Sequence, residues 1–189
     1  MNSLDNLLTQ GHYILASGRH SLVKVECDKI LDDDKACNEI ARQLGNKALE
    51  VFDVRSIPEA IVGVATGGLK PASKIADYFG SSGISCKAVD SEKDNKGGIS
   101  VKKSQLFNYY GGKIQKANTA IVVDDVLTTG GSILKVVHSL RKMNVETLAI
   151  AAIYNRGHDN NVSGIPIISL EHKYLPTYSA EDCPDHSEF

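Results

Sequence analysis

Two adjacent acids, Asp124 and Asp125, end an apolar run and lead into Val126, Leu127, Thr128, Thr129, Gly130, Gly131 and Ser132. Two neighbouring carboxylates repel one another and gain nothing from burial. A site that keeps them offers hydroxyl donors or a divalent cation. Sugar hydroxyls meet that need, and so does water held by magnesium. If the strand persists, the two acids point to opposite faces and need not do the same job. The residues that follow suit an anion. Gly130 and Gly131 let the backbone approach a ligand closely. A helix beginning about Ser132 aims free N–H groups and its positive dipole end into the loop, and the hydroxyls of Thr128, Thr129 and Ser132 add donors. The plainer alternatives are an ordinary strand-to-helix turn and two exposed acids at a loop mouth.

A second glycine loop, Ala65-Thr66-Gly67-Gly68, follows the apolar run "AIVGV" and precedes a helix. It suits a second anion, with Lys70 near enough in sequence to help. Two anion sites around a diol site describe a sugar carrying phosphate groups at both ends. Neither loop is a Walker loop or a dinucleotide fingerprint, because G-x-x-x-x-G-K-[ST] and G-x-G-x-x-G after a strand are both absent.

The elements that hold these loops alternate. "LDNLLTQ" (4–10) reads as a short amphipathic helix, and alternation over 22–27 reads as a half-buried strand. The acids of "DDDK" favour a helix N-terminus. Ile40, Leu44, Ala48, Val51 and Phe52 follow at helical spacing. Pro71 is tolerable in the first turn of the helix after the "ATGG" loop, where its missing N–H has no helical partner. "ISCKAVD", "TAIVVDD", "VETLAIAAIY" and "IPIISLE" read as strands, "SILKVVHSLRKMN" as a helix, and "SEKDNKGGIS" as a polar, flexible loop. Apolar strands separated by helices predict an α/β fold whose parallel sheet is covered on both faces. Ligands in such folds bind beyond the carboxyl ends of the strands. That rim would collect "ATGG", "DSEKDNKGG" and "DDVLTTGGS".

The 189 residues suit one domain, and 42% hydrophobic with 23% charged residues is ordinary globular composition. A formal net charge of -2 demands neither nucleic acid nor an anionic membrane as partner. No apolar run approaches the roughly 20 residues of a membrane helix. The N-terminus lacks the basic-then-apolar pattern of a secretory signal, so a cytoplasmic location is expected. The cysteines at 27, 37, 86 and 183 are scattered, which speaks against a disulfide framework and a structural zinc site. "EDCPDH" places an acid and a histidine near Cys183, a weak hint of a metal site in the tail.

The stretch "IVVDDVLTTGGS" (121–132) resembles the phosphoribosyl pyrophosphate signature of the type I phosphoribosyltransferases at every position. The resemblance implies the Rossmann-like type I fold of that family with a small N-terminal hood. It implies that Asp124 and Asp125 hold the ribose 2- and 3-hydroxyls, partly through Mg2+ and its waters. Residues Val126 to Ser132 would wrap the 5-phosphate, and Thr66, Gly67 and Gly68 would form the pyrophosphate-binding loop. "GHYILASGRHS" (11–21) is similar to the N-terminal segment of the orotate phosphoribosyltransferases, and "YNRG" (154–157) to the turn where an arginine meets the pyrimidine carboxylate. "LPTYSAEDCP" looks like the tail of one bacterial and archaeal branch. The resemblance thus implies transfer of a phosphoribosyl group to orotate, with Ser17, Gly18, Thr128 and Arg156 around the base. It also implies a homodimer, and one domain over 1–189 in which about 1–35 and the C-terminal tail form the base-binding hood. Two departures keep other readings open. Ala16 stands where many orotate enzymes have lysine. The loop that usually carries an arginine–lysine pair and a histidine reads "DSEKDNKGGIS", leaving Lys93 and Lys96 as the catalytic cations, with Lys102 and Lys103 nearby. The alternatives are transfer to another base, such as a purine, and a regulator that binds the donor without turnover.

Overall fold

The apolar runs in the middle of the chain pair into one sheet. A computed structural model describes residues 4–52, 57–110 and 113–185, without the side chains of 108–110 and 113. In chain order the elements are β1 (Leu8–Ile14), β2 (His20–Val25), α1 (Asp28–Leu31), α2 (Asp34–Val51), β3 (Ala60–Gly63), α3 (Leu69–Ser81), β4 (Lys87–Lys93) and β5 (Ile99–Val101). They continue with β6 (Phe107–Tyr110), β7 (Lys113–Lys116), β8 (Thr119–Leu127), α4 (Gly131–Lys142), β9 (Glu146–Asn155), β10 (Asn161–Val162) and β11 (Ile165–His172). The main sheet has the order β10-β11-β9-β8-β3-β4-β5. Its five central strands are parallel, and β5 and β10 join antiparallel at the edges. Helices α2 and α3 pack on one face, around Ile40, Leu44, Ile75, Phe79 and Ile121. Helix α4 covers the other, through Ile133, Val136 and Leu140 against Val62, Val122 and Ile150. The α/β class with a parallel, doubly covered sheet is therefore observed. Among the described residues no helix is long and apolar enough to cross a membrane.

Strand order reverses between β3 and β8. From β3 the chain moves outward to β4, then returns to the other side of β3 for β8. A crevice opens where neighbouring connections leave in opposite directions. Both glycine loops begin at this place.

Local chemistry explains the helices. Asp33 caps α2 by accepting the amides of Lys35 and Ala36 at 2.8 and 3.2 Å. The buried residues of α2 are Cys37, Ile40, Ala41, Leu44, Gly45 and Ala48, a stripe of spacing three and four. Val51, expected on that stripe, is 56% exposed because the helix ends there. Pro71 lies in the first turn of α3 and is buried.

Two expectations need correction, and one element was not anticipated. Residues 4–10 are not one helix: a 3-10 turn spans Leu4–Leu7, and the chain then enters β1. Pairing with β2 overrides local helical periodicity, and together they form a separate two-stranded hairpin. The segment "SEKDNKGGIS" is not an open loop. β4 runs on to Lys93 and turns back into β5, with the Asp94 carboxylate accepting the amides of Lys96 and Gly98, both at 2.8 Å. A further hairpin, β6–β7, carries no alternation strong enough to announce itself.

At Gly45 helix α2 leaves no room for a side chain against α3. A Cβ there would lie 2.6 Å from the Tyr78 ring, which is held by its hydroxyl to Asn46, and 3.1 Å from Phe79. Alanine improves helix propensity by up to about 1 kcal/mol, while overpacking costs about 1–3 kcal/mol. The clash wins, so Gly45→Ala is expected to lower the urea midpoint of unfolding with little change in slope.

Candidate active site

β8 carries the acid pair to the rim and persists through it, to Leu127. Beyond it Gly130 caps α4 with φ of 75°, a left-handed conformation that glycine adopts without strain. Helix α4 starts at Gly131, one residue before the expected position. Beside it the 65–68 loop leaves β3, with a cis peptide bond between Ala65 and Thr66. Ser91, 2% exposed on β4, steadies this loop. Its hydroxyl donates to the Gly63 carbonyl at 2.8 Å and accepts the Ala65 amide at 2.9 Å. The loop needs both its glycines. A side chain at Gly67 would strike the Asp125 carboxylate, and one at Gly68 the Val123 carbonyl.

These segments enclose a cleft of about 560 Å³. Its walls include Ser17, Thr66, Gly67, Lys93 and Arg156, and every residue from Asp124 to Ser132. Gly68 lies behind it at the N-cap of α3, and Gly18 takes a left-handed turn next to Ser17. Lys96 is outside, exposed at the tip of the β4–β5 hairpin. Lys70 is committed elsewhere, bound to the Leu31 carbonyl and paired with Asp34 at 3.0 Å. Lys102 pairs with Asp90 at 3.3 Å.

The two acids do not part to opposite sides. Their carboxyl groups lie close enough to interact, and the Asp125 amide donates to the Asp124 carboxyl at 3.1 Å. Burial first, then the charge of Asp125, pushes the Asp124 carboxyl well above the ordinary range, with Lys93 opposing. The nearby Cys27 thiol is driven far upward by burial and, after that, by Asp125, Asp28 and Asp124. It stays protonated and offers no nucleophile.

Arg156, at the end of β9, is 2% exposed. Its Nη2 donates to the Ser21 hydroxyl at 2.6 Å and to the Leu175 carbonyl at 3.4 Å, and its Nη1 to the Val23 carbonyl at 3.1 Å. These acceptors are neutral, and Nε has no partner. Burial holds the guanidinium below its usual pKa. A buried cation facing neutral oxygens, with an N–H to spare, is suited to a planar anion.

Three cleft features escape a motif search. Lys135 sits one turn into α4, three residues after Ser132, and donates from Nζ to the Gly97 carbonyl at 2.7 Å. Its helical spacing from Ser132 is the signal that was available. Lys24 and Tyr13 reach the cleft from the N-terminal hairpin, whose strand pairing had to be known first. Ser91 announces itself only as a polar residue on a buried strand face.

The class of the chain follows from this arrangement and from comparison. Residues 27–172 match the family described as Phosphoribosyl transferase domain, and the protein belongs to that family. More particularly, it is 30% identical over 177 residues to the orotate phosphoribosyltransferase of Thermotoga petrophila, covering 94% of this chain and 85% of that one. The orotate phosphoribosyltransferase structure from Aeropyrum pernix superposes with a TM-score of 0.61 at 24% identity, covering 88% of this chain and 89% of that one. The adenine phosphoribosyltransferase structure from Thermoanaerobacter pseudethanolicus does so at 0.55 and 18% identity, over 79% and 88%.

The raised pKa of Asp124 has a consequence for stability. The folded protein binds its proton more tightly than the unfolded chain, so stability falls as pH rises from about 4 through the raised pKa. Asp124→Asn removes that loss and keeps an acceptor for the Asp125 amide. In thermal melts of the ligand-free protein, the variant is expected to melt higher than wild type at neutral pH. The gap should close as pH approaches 4.

Proposed function

We propose that the protein transfers the phosphoribosyl group of 5-phosphoribosyl 1-pyrophosphate to orotate, giving orotidine 5'-phosphate and pyrophosphate. The observation that carries this reading is the meeting in one cleft of the acid pair, two glycine loops and a buried arginine with a spare N–H. Val126 to Ser132 hold the 5-phosphate, Asp124 and Asp125 the ribose hydroxyls, and Thr66 to Gly68 the pyrophosphate. Arg156 receives the carboxylate of the base through parallel hydrogen bonds, with Ser17, Gly18 and Thr128 around the ring. About residues 1–35 and the C-terminal tail form the base-side hood of a single domain. A homodimer belongs to the proposal on the resemblance alone.

The residues fit magnesium. Two carboxylates in contact, one held above its ordinary pKa by burial and its neighbour, form a hard oxygen donor set with charge to be neutralised. When bound, the ion neutralises the pyrophosphate charge and orients the donor. The chain itself contributes positioning. The acids fix the ribose, the amides of the two loops fix its phosphates, and Lys93 adds positive charge where negative charge grows. The bond from C1 to the pyrophosphate oxygen breaks with its electron pair leaving on oxygen, and the base nitrogen bonds C1 as its N–H proton passes to the departing pyrophosphate or to solvent. No covalent nucleophile is required, and preorganised donors lower the barrier. Lys96, the second expected catalytic cation, is exposed outside the cleft lining, at the tip of the β4–β5 hairpin.

The alternative base is a purine, since the fold also matches an adenine phosphoribosyltransferase structure and Ala16 stands where many orotate enzymes have lysine. A panel of orotate, uracil, adenine and hypoxanthine, assayed with magnesium for pyrophosphate release, is expected to show turnover with orotate. Turnover with adenine or hypoxanthine instead would move the assignment to a purine enzyme. Tight donor binding with no turnover on any base would make the protein a sensor. Asp125→Asn should stay folded and lose about a hundredfold or more in kcat/KM, the scale of misplaced reacting groups. Full activity in that variant would remove the acids from the mechanism.

Arg156 allows a separate check. Lysine keeps the charge and loses the planar fork. Arg156→Lys is expected to raise KM for orotate about tenfold or more, with KM for the phosphoribosyl donor nearly unchanged, as read from initial-rate kinetics.

A further inference from the structure

Away from the cleft, three side chains far apart in sequence converge where the N-terminal hairpin receives the C-terminal tail. His12 lies on β1, His20 opens β2, and Cys183 lies in the tail. Their donor atoms all fall within 4.8 Å of one another. His12 Nε2 and His20 Nδ1 are 2.8 Å apart, and Cys183 Sγ is 3.5 Å from His12 Nε2. Cys183 is 1% exposed, and both histidines are partly buried.

The distances have a chemical meaning. Two ring nitrogens at 2.8 Å share one proton, so at least one turns a lone pair inward. The thiol sulfur meets the same nitrogen. For a tetrahedral zinc ion, with Zn–N near 2.0–2.1 Å and Zn–S near 2.3 Å, the nitrogen–sulfur edge is about 3.5 Å. The observed Cys183–His12 separation equals that edge, the two imidazoles need part by about half an ångström, and the remaining His20–Cys183 edge, within 4.8 Å, closes by at most about 1.3 Å.

We propose that His12, His20 and Cys183 bind a zinc-class divalent cation, with water completing the tetrahedron, and so clasp the tail to the N-terminal hairpin. Two imidazoles and a thiolate select such an ion over magnesium, which takes oxygen ligands. The site is therefore chemically separate from the acid pair. Its place gives it leverage on the cleft. His20 and Tyr178 exchange both backbone hydrogen bonds at 2.9 Å, and Arg19 donates to the Thr177 hydroxyl and carbonyl at 2.8 and 2.7 Å. The same tail presents the Leu175 carbonyl to Arg156. A cation at the cluster would hold the wall against which Arg156 is set. Linear spacing hides the site, because its ligands lie 8 and 171 residues from His12.

The test uses the full chain, stripped of metal and titrated with Co2+ as a spectroscopic stand-in for zinc. The expected result is a thiolate-to-cobalt charge-transfer band that saturates at one equivalent and is abolished by Zn2+. Cys183→Ser should lose the band, and His20→Gln should weaken binding by at least about tenfold. Asp125→Asn should keep both band and stoichiometry, which separates this result from any failure of the proposed activity. Zn2+ should raise the melting temperature of wild type and not of Cys183→Ser. Circular dichroism checks that each variant is folded. If Cys183→Ser is not, His20→Gln decides. A wild-type protein with no sulfur band, a band that persists in folded Cys183→Ser, or unweakened binding by His20→Gln would each overturn the proposal.

Discussion

Two carboxyl groups held side by side at the end of a buried strand set the terms for much of this structure. Asp124 and Asp125 are in contact, and burial makes the ionised form of Asp124 costly. Every neighbour accommodates that pair. Gly67 has no side chain because the Asp125 carboxylate lies where one would go. Ser91 holds the loop containing Gly67 through a hydroxyl bridge to β3. The sheet reverses direction beside the pair, which leaves the crevice open to a ligand. Such an arrangement lowers the stability of the empty protein and favours whatever neutralises it, a pattern common at functional sites.

Positive charge is distributed more sparingly. Arg156 is buried among neutral oxygens on one side, and Lys93 and Lys135 stand at the cleft on the other. Lys135 also fastens the tip of the β4–β5 hairpin through Gly97. This hairpin occupies the place where the family resemblance leads one to expect a mobile catalytic loop. Here it is a short turn braced by the Asp94 carboxylate. Any closure over a ligand therefore involves the hairpin with α4, since the two share a contact.

The parts of the fold that were legible in the sequence are those with one dominant signal. β8 is a run of four apolar residues broken by two acids, and α4 follows glycines that only a turn would gather. The buried stripe of α2 repeats at three and four. What could not be read are elements whose stability comes from a distant partner. β1 pairs with β2, whose alternation did read as a strand, and β6 with β7, and the local patterns of β1, β6 and β7 are ambiguous. The same holds within the site. Asp124, Asp125 and the cradle lie in one continuous motif, whereas Arg156 depends on Ser21, Val23 and Leu175 for its setting. Lys70 misled because nearness in sequence to a loop says little about direction, and Asp34 on a neighbouring helix claims it.

Among the described residues the tail after β11 (173–185) belongs to no helix, and one isolated bridge, from His20 to Tyr178, is its share of sheet pairing. Yet it touches Arg19, Ser21 and Arg156 from three successive residues, Leu175, Pro176 and Thr177. A premature stop codon just after His172 would spare every strand of the main sheet. It would also spare the entire 121–132 motif, so a gene search would score the shortened product as intact. The product would still have lost a carbonyl acceptor of its buried arginine, the partner of its N-terminal hairpin and the cysteine of the His–His–Cys cluster. Frameshifts and truncations at this end are thus more damaging than the absence of secondary structure suggests.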